Sequence, residues 1–203
     1  MPGTHRFLAA SLAMVVCCAV APLMGGCVPA GSAVGDTRTE STNVTHDGVD
    51  KADITVGVLS AGDTVLDRRI IGACRDEGLR AVYASVGSDE SPADSAGVNM
   101  QGLTSRVVNV VVVPGLQAFG HGGSSKEAVL WESALEDARE AGIPVVLVDN
   151  SGHPLKRTLT AVSLHVVEGP SDAVTTLEDA LALVINDNPH PRSMEVSLGT
   201  NGK

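Results

Sequence analysis

The chain has 203 residues, which is enough for an export segment and one well-packed domain but too few for an export segment and two ordinary domains. It carries 24 acidic side chains and 14 basic ones. The acidic balance disfavours nucleic-acid binding, which needs clustered Lys and Arg residues. Two Phe, one Trp and one Tyr are the aromatic residues, which disfavours a binding site built on stacked rings.

An export segment opens the chain. A short basic start precedes the apolar run Phe7–Met24, and two glycines stand directly before Cys27. This layout predicts a secretory signal peptide over residues 1–27, ending in a lipobox-like pattern in which Cys27 is lipidated. Cleavage after Ala30 and an uncleaved anchor are the alternatives, since the apolar run is long enough to span a bilayer.

A flexible tether is predicted over residues 28–52, which are rich in Gly, Ser, Thr and Asp and have no apolar period. A single domain is predicted over residues 53–203. Cys74 is the only cysteine of that domain, so it has no internal disulfide partner. Because Cys74 shares a helical stripe with Leu66 and Ile70, we expect it to be a small buried apolar residue.

Apolar strands alternate with helices from Asp53 onward. Strands are predicted over 54–60, 79–86, 107–115, 143–149 and 158–167, with a last short strand over 193–199. Helices are predicted over 64–78, 91–106 and 124–142, and a fourth begins at Pro170 and Ser171 with Val174, Leu177, Leu181 and Val184 on one face. Strands that are apolar throughout indicate a parallel sheet covered on both faces. The predicted fold class is therefore α/β, a three-layer, doubly wound, mostly parallel sheet.

Candidate sites are expected where strands end, because ligands of such sheets bind outside the carboxyl ends of the strands. The sequence has no Walker loop, no dinucleotide fingerprint and no nucleophile elbow. Its six His residues do not have the spacing of metal ligands. We therefore predict no catalytic residue, no metal site and no cofactor. Trp131 lies on a stripe with Leu135 and Ala138, which predicts that it packs on the sheet.

Four stretches resemble the amino-terminal lobe of type 1 periplasmic solute-binding proteins, the sugar-binding lipoproteins of ABC importers. They are "ITVGVLS", "DEGLRAVYASV", "MQGLTSRVVNVVVVPG" and "ALEDAREAGIPVVLVD", and together they cover 54–168. The resemblance implies a Rossmann-like lobe that binds a small solute, in the first place a sugar. It also implies an ABC permease as partner and a lipid anchor on the extracytoplasmic face of the cell membrane.

Three ligand-binding residues follow from the resemblance. Ser60 and Asp149 match the polar groups that end the first and fourth strands, and Asn150 stands where a second polar group is often found. The loop after Ser60 lacks the usual aromatic, and Val113 replaces a polar side chain. The sequence also ends where a second lobe would begin, so we expect a truncated or degenerate binding protein. The alternative is a surface interaction or sensor module on the same lobe, outside transport, and an enzyme comes third.

Overall fold

A seven-stranded sheet forms the middle layer of the protein. A computed structural model of the chain describes residues 31–38, 48–87, 91–117, 126–151, 156–168 and 174–199. The strands are β1 Thr55–Leu59, β2 Arg80–Ala84, β3 Val110–Pro114, β4 Val145–Val148, β5 Val162–Val166, β6 Thr175–Thr176 and β7 Ser193–Ser197. Their order in the sheet is β2-β1-β3-β4-β5-β7-β6, and every neighbouring pair is parallel.

Helices cover both faces of the sheet. They are α1 Thr64–Asp76, α2 Pro92–Thr104, α3 Lys126–Glu140 and α4 Leu177–Ile185, with a short 3-10 helix at Lys51–Asp53. One apolar cluster joins α1 and α4 to the sheet, and a second joins α2 and α3 to the opposite face. The α/β, three-layer, doubly wound architecture predicted from the sequence is confirmed, and the sheet is parallel throughout its described strands.

Local sequence signals set the limits of the elements. The β3 strand is buried along its whole length, which explains its uninterrupted run of Val. Asp63 caps α1 by accepting hydrogen bonds from the backbone N–H groups of Val65 and Leu66. Ser91 caps α2 in the same way, because its side chain accepts a hydrogen bond from the backbone N–H of Asp94. Beyond the carboxyl end of α1, Gly78 adopts a positive φ of 80°, the backbone that favours Gly.

The fourth helix begins later than the sequence predicts. Thr176 accepts a hydrogen bond from Asp179 N and so starts α4 at Leu177, after the two-residue strand β6, which the sequence analysis missed. Val174 therefore lies outside the helix, while Leu177, Leu181 and Val184 are buried as predicted. Pro170 and Ser171 lie outside the described residues.

Part of the predicted tether is packed against the domain. Residues 31–38 contact the end of the sheet at which the strands begin, with Ala33 buried, and Val49 N donates a hydrogen bond to Asn186. Buried contacts of this kind are not those of a free linker, so the packed domain includes these residues. The predicted signal segment, with Cys27, lies outside the described residues. Among the residues that the structure describes, no helix is long and apolar enough to span a bilayer.

Candidate functional site

The strands end along one side of the sheet, here called the carboxyl edge, and they begin along the opposite side, the amino edge. After β1 the chain adds β2 on one side and β3 on the other. The strand order thus reverses between β1 and β3, which makes this part of the carboxyl edge the preferred place for a ligand in an open α/β sheet. The predicted residues Ser60, Asp149 and Asn150 all follow strands at this edge.

Ser60 is buried at the end of β1, and only 2% of its surface is exposed. Its hydroxyl donates to Asp67 Oδ2 over 2.6 Å and accepts a hydrogen bond from Gly62 N over 3.2 Å. A serine hydroxyl has a single proton to donate, so Ser60 donates within the protein and not to a ligand in this structure. Its role as a ligand contact stays a prediction.

Asp67 is the residue at this edge that the sequence analysis missed. It lies in the first turns of α1 with 1% of its surface exposed, and its Oδ2 accepts hydrogen bonds from Ser60 and, over 2.8 Å, from Tyr83 Oη. Its Oδ1 is buried without a hydrogen-bond partner in the described parts of the chain. The signal was present in the sequence, because Asp67 shares a buried helical stripe with Ile70 and Cys74.

Tyr83 supplies an aromatic ring close to this edge. It is on the outer strand β2, paired in register with Val58, and 42% of its surface is exposed. Burial raises the pKa of the Tyr83 phenol; Ser60 offsets the rise, and the hydrogen bond with Asp67 adds to it. The phenol therefore stays protonated and donates a hydrogen bond to Asp67 Oδ2, which fixes the orientation of the ring.

Asp149 joins the ends of two strands. Its Oδ1 accepts a hydrogen bond from Val166 N over 2.8 Å, and its own N–H donates to Leu164 O over 2.9 Å. The residue adopts a positive φ of 46°, a conformation that Asp tolerates better than most residues. One carboxylate oxygen thus ties β4 to β5, and the other makes no hydrogen bond within the described residues.

Asn150 follows Asp149 and has a polar atom without a partner. Its Oδ1 is buried and accepts no hydrogen bond from the described residues. Such atoms are rare, because an acceptor that loses its hydrogen bonds to water on burial and gains no donor in the protein destabilises the fold. Of the three predicted residues, Asn150 is the one whose side-chain oxygen has no hydrogen-bond partner within the described parts of the chain.

The three predicted residues do not converge on one point. Ser60 follows β1 and Asp149 follows β4, with β3 between them in the sheet. Because neighbouring strands lie about 5 Å apart, the backbones of Ser60 and Asp149 are roughly 10 Å apart. A monosaccharide can span that distance, but a single hydrogen bond cannot. The arrangement is a row of polar groups along an edge.

A small cleft opens at the same edge, between the beginnings of α2 and α3. It has a volume of about 150 Å³ and is lined by Ala61, Ser91, Pro92, Ala93, Leu116, Gln117, Glu127 and Trp131. Pockets that enclose a ligand usually exceed about 300 Å³, so this cleft by itself is too small to enclose a sugar. Trp131 is buried beneath the cleft, as its helical stripe predicts.

No group of three or more metal-ligating side chains occurs among the described residues. Burial raises the pKa of the Cys74 thiol to about 12, so this cysteine stays protonated at neutral pH. Thiolates are the nucleophilic and metal-binding form of cysteine, so Cys74 has neither role in this environment.

No family model and no curated protein matches the sequence. Solved structures of sugar-binding proteins do match the fold. A solute-binding protein of an ABC transporter from Agrobacterium vitis, with bound allitol, is 16% identical, with a TM-score of 0.42 over 57% of this chain and 36% of that one. A protein from Mycobacterium smegmatis in complex with β-D-fucofuranose is 15% identical, with a TM-score of 0.41 over 71% of this chain and 54% of that one.

An ABC sugar transporter subunit from Rhodobacter sphaeroides is 12% identical, with a TM-score of 0.42 over 72% of this chain and 56% of that chain. The chain thus spans between about a third and just over half of the length of these three proteins. At this identity the likeness concerns the fold alone.

Proposed function

We propose that this chain is an extracytoplasmic lipoprotein, anchored through Cys27, that binds a small solute at the carboxyl edge and serves an ABC importer. A sugar is the first candidate for the solute. Asn150 carries the proposal, because its buried Oδ1 has no donor among the described residues and stands beside Asp149 at the end of β4. A solute hydroxyl would supply that donor once the Asn150 side chain turns toward solvent.

The chemistry of the edge suits a neutral polyol. Asp149 offers a carboxylate oxygen without a partner among the described residues, and Asn150 offers an amide, which together accept from and donate to hydroxyl groups. The Tyr83 ring adds an exposed apolar face of fixed orientation on the neighbouring side of β1. No cluster of three or more metal-ligating side chains lies among the described residues, and the role that we propose is binding without catalysis.

A thermal shift experiment tests solute binding. The full chain is melted with pentoses, hexoses and their alditols, in parallel with Asn150→Ala and with the control Asn188→Ala, an exposed amide after α4. We expect one sugar to raise the melting temperature of the wild type and of Asn188→Ala but not of Asn150→Ala. If no sugar raises the melting temperature of the wild type, the chain does not bind these solutes.

Anchoring has its own test, which does not depend on the solute. Replacing Cys27 by Ser removes the thiol that carries the lipid, so the variant should move from the membrane fraction to the soluble fraction. A Cys27→Ser protein that stays with the membrane contradicts lipidation at this residue and favours the uncleaved anchor.

A surface interaction module is the second candidate function. The outer strand β2 leaves Tyr83 exposed, and Val98 of the neighbouring α2 is also exposed, so a partner could bind along this side of the sheet. A pull-down from intact membranes separates the two functions. Recovery of importer components alone counts against the interaction module, and recovery of other surface proteins with Tyr83 dependence supports it.

A further inference from the structure

The hydroxyl groups at the carboxyl edge already donate their protons within the protein. Ser60 and Tyr83 both donate to Asp67, and the Ser151 hydroxyl donates to Gln117 Oε1 over 2.7 Å. A hydroxyl group has one proton, so none of these three has a proton left for a solute in this structure. The side-chain donors that remain beside them are the neutral amides of Gln117 and Asn150.

Several acceptors at the same edge are unused. The second carboxylate oxygen of Asp149 makes no hydrogen bond within the described residues, because the one bond that its side chain accepts goes to Oδ1. Asn150 Oδ1 and Asp67 Oδ1 are buried without a donor in the described parts of the chain. Buried acceptors without a donor are rare in proteins. A solute that donates hydrogen bonds therefore complements this edge, and one that only accepts them does not.

Acidic side chains outnumber basic ones at the carboxyl edge. The charged residues described after the strand ends and in the first two turns of α1, α2 and α3 are Asp63, Asp67, Asp94, Glu127, Glu132, Asp149 and Glu168 on the acidic side and Arg68, Arg69, Lys126 and Lys156 on the basic side. Arg157, which follows Lys156, is instead next to Arg192 at the amino edge, where its carbonyl oxygen accepts a hydrogen bond.

The basic residues of this edge are engaged elsewhere. Three of them form ion pairs, which are Arg69 with Glu168 over 2.6 Å, Lys126 with Asp94 over 2.8 Å and Lys156 with Glu132 over 2.8 Å. Arg68 donates to Thr64 O within its own helix. Among the described residues, none of these cations pairs with Asp149. In sequence, the stretches 88–90, 118–125, 152–155 and 169–173 contain three acidic residues, two His and no Lys or Arg.

The helices do not turn this edge into an anion site. The amino ends of α1, α2 and α3 lie here, and a helix carries partial positive charge at its amino end. Each of the three has an acid in its first turn, which is Asp67, Asp94 or Glu127. These carboxylates offset the partial charges of the helices.

We propose that the preferred solute is an amino sugar, whose protonated amine lies between the second carboxylate oxygen of Asp149 and Oδ1 of Asn150. This inference rests on the proposed function and names the class of sugar. An ammonium group has three protons to donate and no acceptor, so it can serve both oxygens at once. Its charge also meets a carboxylate that has no cationic partner among the described residues. A neutral sugar places a single hydroxyl proton there and binds more weakly, and a sugar acid is repelled.

Matched sugars test the charge of the solute. The full chain is titrated in a calorimeter with glucosamine, galactosamine and mannosamine, and each is compared with its parent hexose, its N-acetyl derivative and its uronic acid. Acetylation keeps the ring and removes the positive charge. One amino sugar should bind about tenfold or more tightly than its parent and its N-acetyl derivative, because a charged donor roughly doubles the strength of a hydrogen bond. The preference should fade as the pH rises through the pKa of the sugar's own amine.

A matched pair of variants tests the position of the amine. Asp149→Asn removes the charge and keeps an oxygen that accepts from Val166 N, so the fold is retained. It should abolish the preference for the amino sugar and leave the Kd of the parent hexose within about twofold, which also shows that the variant is folded. Asp53→Asn removes the same charge from an exposed residue before β1, at the amino edge. That control should keep the full preference.

The same titrations separate this inference from the proposed function. If a parent hexose binds as tightly as its amino sugar, sugar binding stands and the inference is overturned. Tightest binding of a uronic acid overturns it as well, and so does a preference that survives in Asp149→Asn. If none of these sugars gives heat, both the inference and sugar binding at the carboxyl edge are wrong.

Discussion

Replacement of Asp67 by Ala should destabilise the protein more than any other single change of an acidic residue in α1. Asp67 accepts two charge-assisted hydrogen bonds, from Ser60 over 2.6 Å and from Tyr83 over 2.8 Å. Each such bond contributes about 1.5–3 kcal/mol. Tyr83 is partly exposed and can turn to water, but Ser60 is left buried without an acceptor. We therefore expect Asp67→Ala to lower the free energy of unfolding by about 3–4 kcal/mol.

Asp67→Asn should cost about half as much, because an amide oxygen in the place of Oδ2 still accepts both hydrogen bonds, but without the charge that roughly doubles their strength. Asp76→Ala is the matched control on the same helix, since Asp76 is exposed and pairs with Arg75 at the surface. That change should cost about 0.5 kcal/mol or less. Urea unfolding with an unchanged slope is the assay. A loss below about 1 kcal/mol for Asp67→Ala, or equal losses for the Ala variants of Asp67 and Asp76, would refute this reasoning.

Two further predictions concern pH and the end of β4. Burial raises the pKa of Glu77 to about 7, with the charge of Glu178 adding to the rise and the hydrogen bond from Glu178 N opposing it. The folded protein thus holds a proton that the unfolded chain loses, so stability attributable to Glu77 falls as pH rises from about 4.5 to 7, by about 1–2 kcal/mol after allowance for solvent screening. Glu77→Gln should remove this slope from unfolding curves measured across that pH range; a slope identical to that of the wild type would contradict the assignment. Asp149→Ala should cost about 1–2 kcal/mol because Val166 N loses its acceptor, whereas Asp149→Asn should cost less than about 0.5 kcal/mol, and equal losses on denaturation would mean that this hydrogen bond does not stabilise the strand ends.

The sheet was predictable from the sequence because its central strands are apolar throughout. Val110–Pro114 and Val145–Val148 are buried on both faces, a requirement that the residue types alone reveal. The start of α4 was not predictable by the same means. Both Thr176 and the pair Pro170 and Ser171 are suitable residues for the start of a helix, and the sequence does not show which of them is used. A two-residue strand such as β6 is too short to have a detectable periodicity.

The network at the carboxyl edge depends on contacts that no sequence pattern records. Ser60 and Asp149 are at the strand ends where the sequence places them, but both side chains have hydrogen bonds within the protein. Tyr83 reaches Asp67 across 16 positions of sequence, from a strand to a helix. The packing of residues 31–38 against the domain was missed for a related reason. The polar composition of residues 28–52 predicts a flexible tether, and it gives no sign of the ion pair between Asp36 and Arg192.

Solute binding at the carboxyl edge is tested most directly by isothermal titration calorimetry of the full chain with the sugars of the thermal shift panel. We predict measurable heat for one sugar. Its Kd should rise about tenfold in Asn150→Ala, because the variant loses one to two hydrogen bonds to the sugar. The Kd of Asn188→Ala should equal that of the wild type. The absence of heat with every sugar, or a Kd unchanged in Asn150→Ala, would contradict the proposed site.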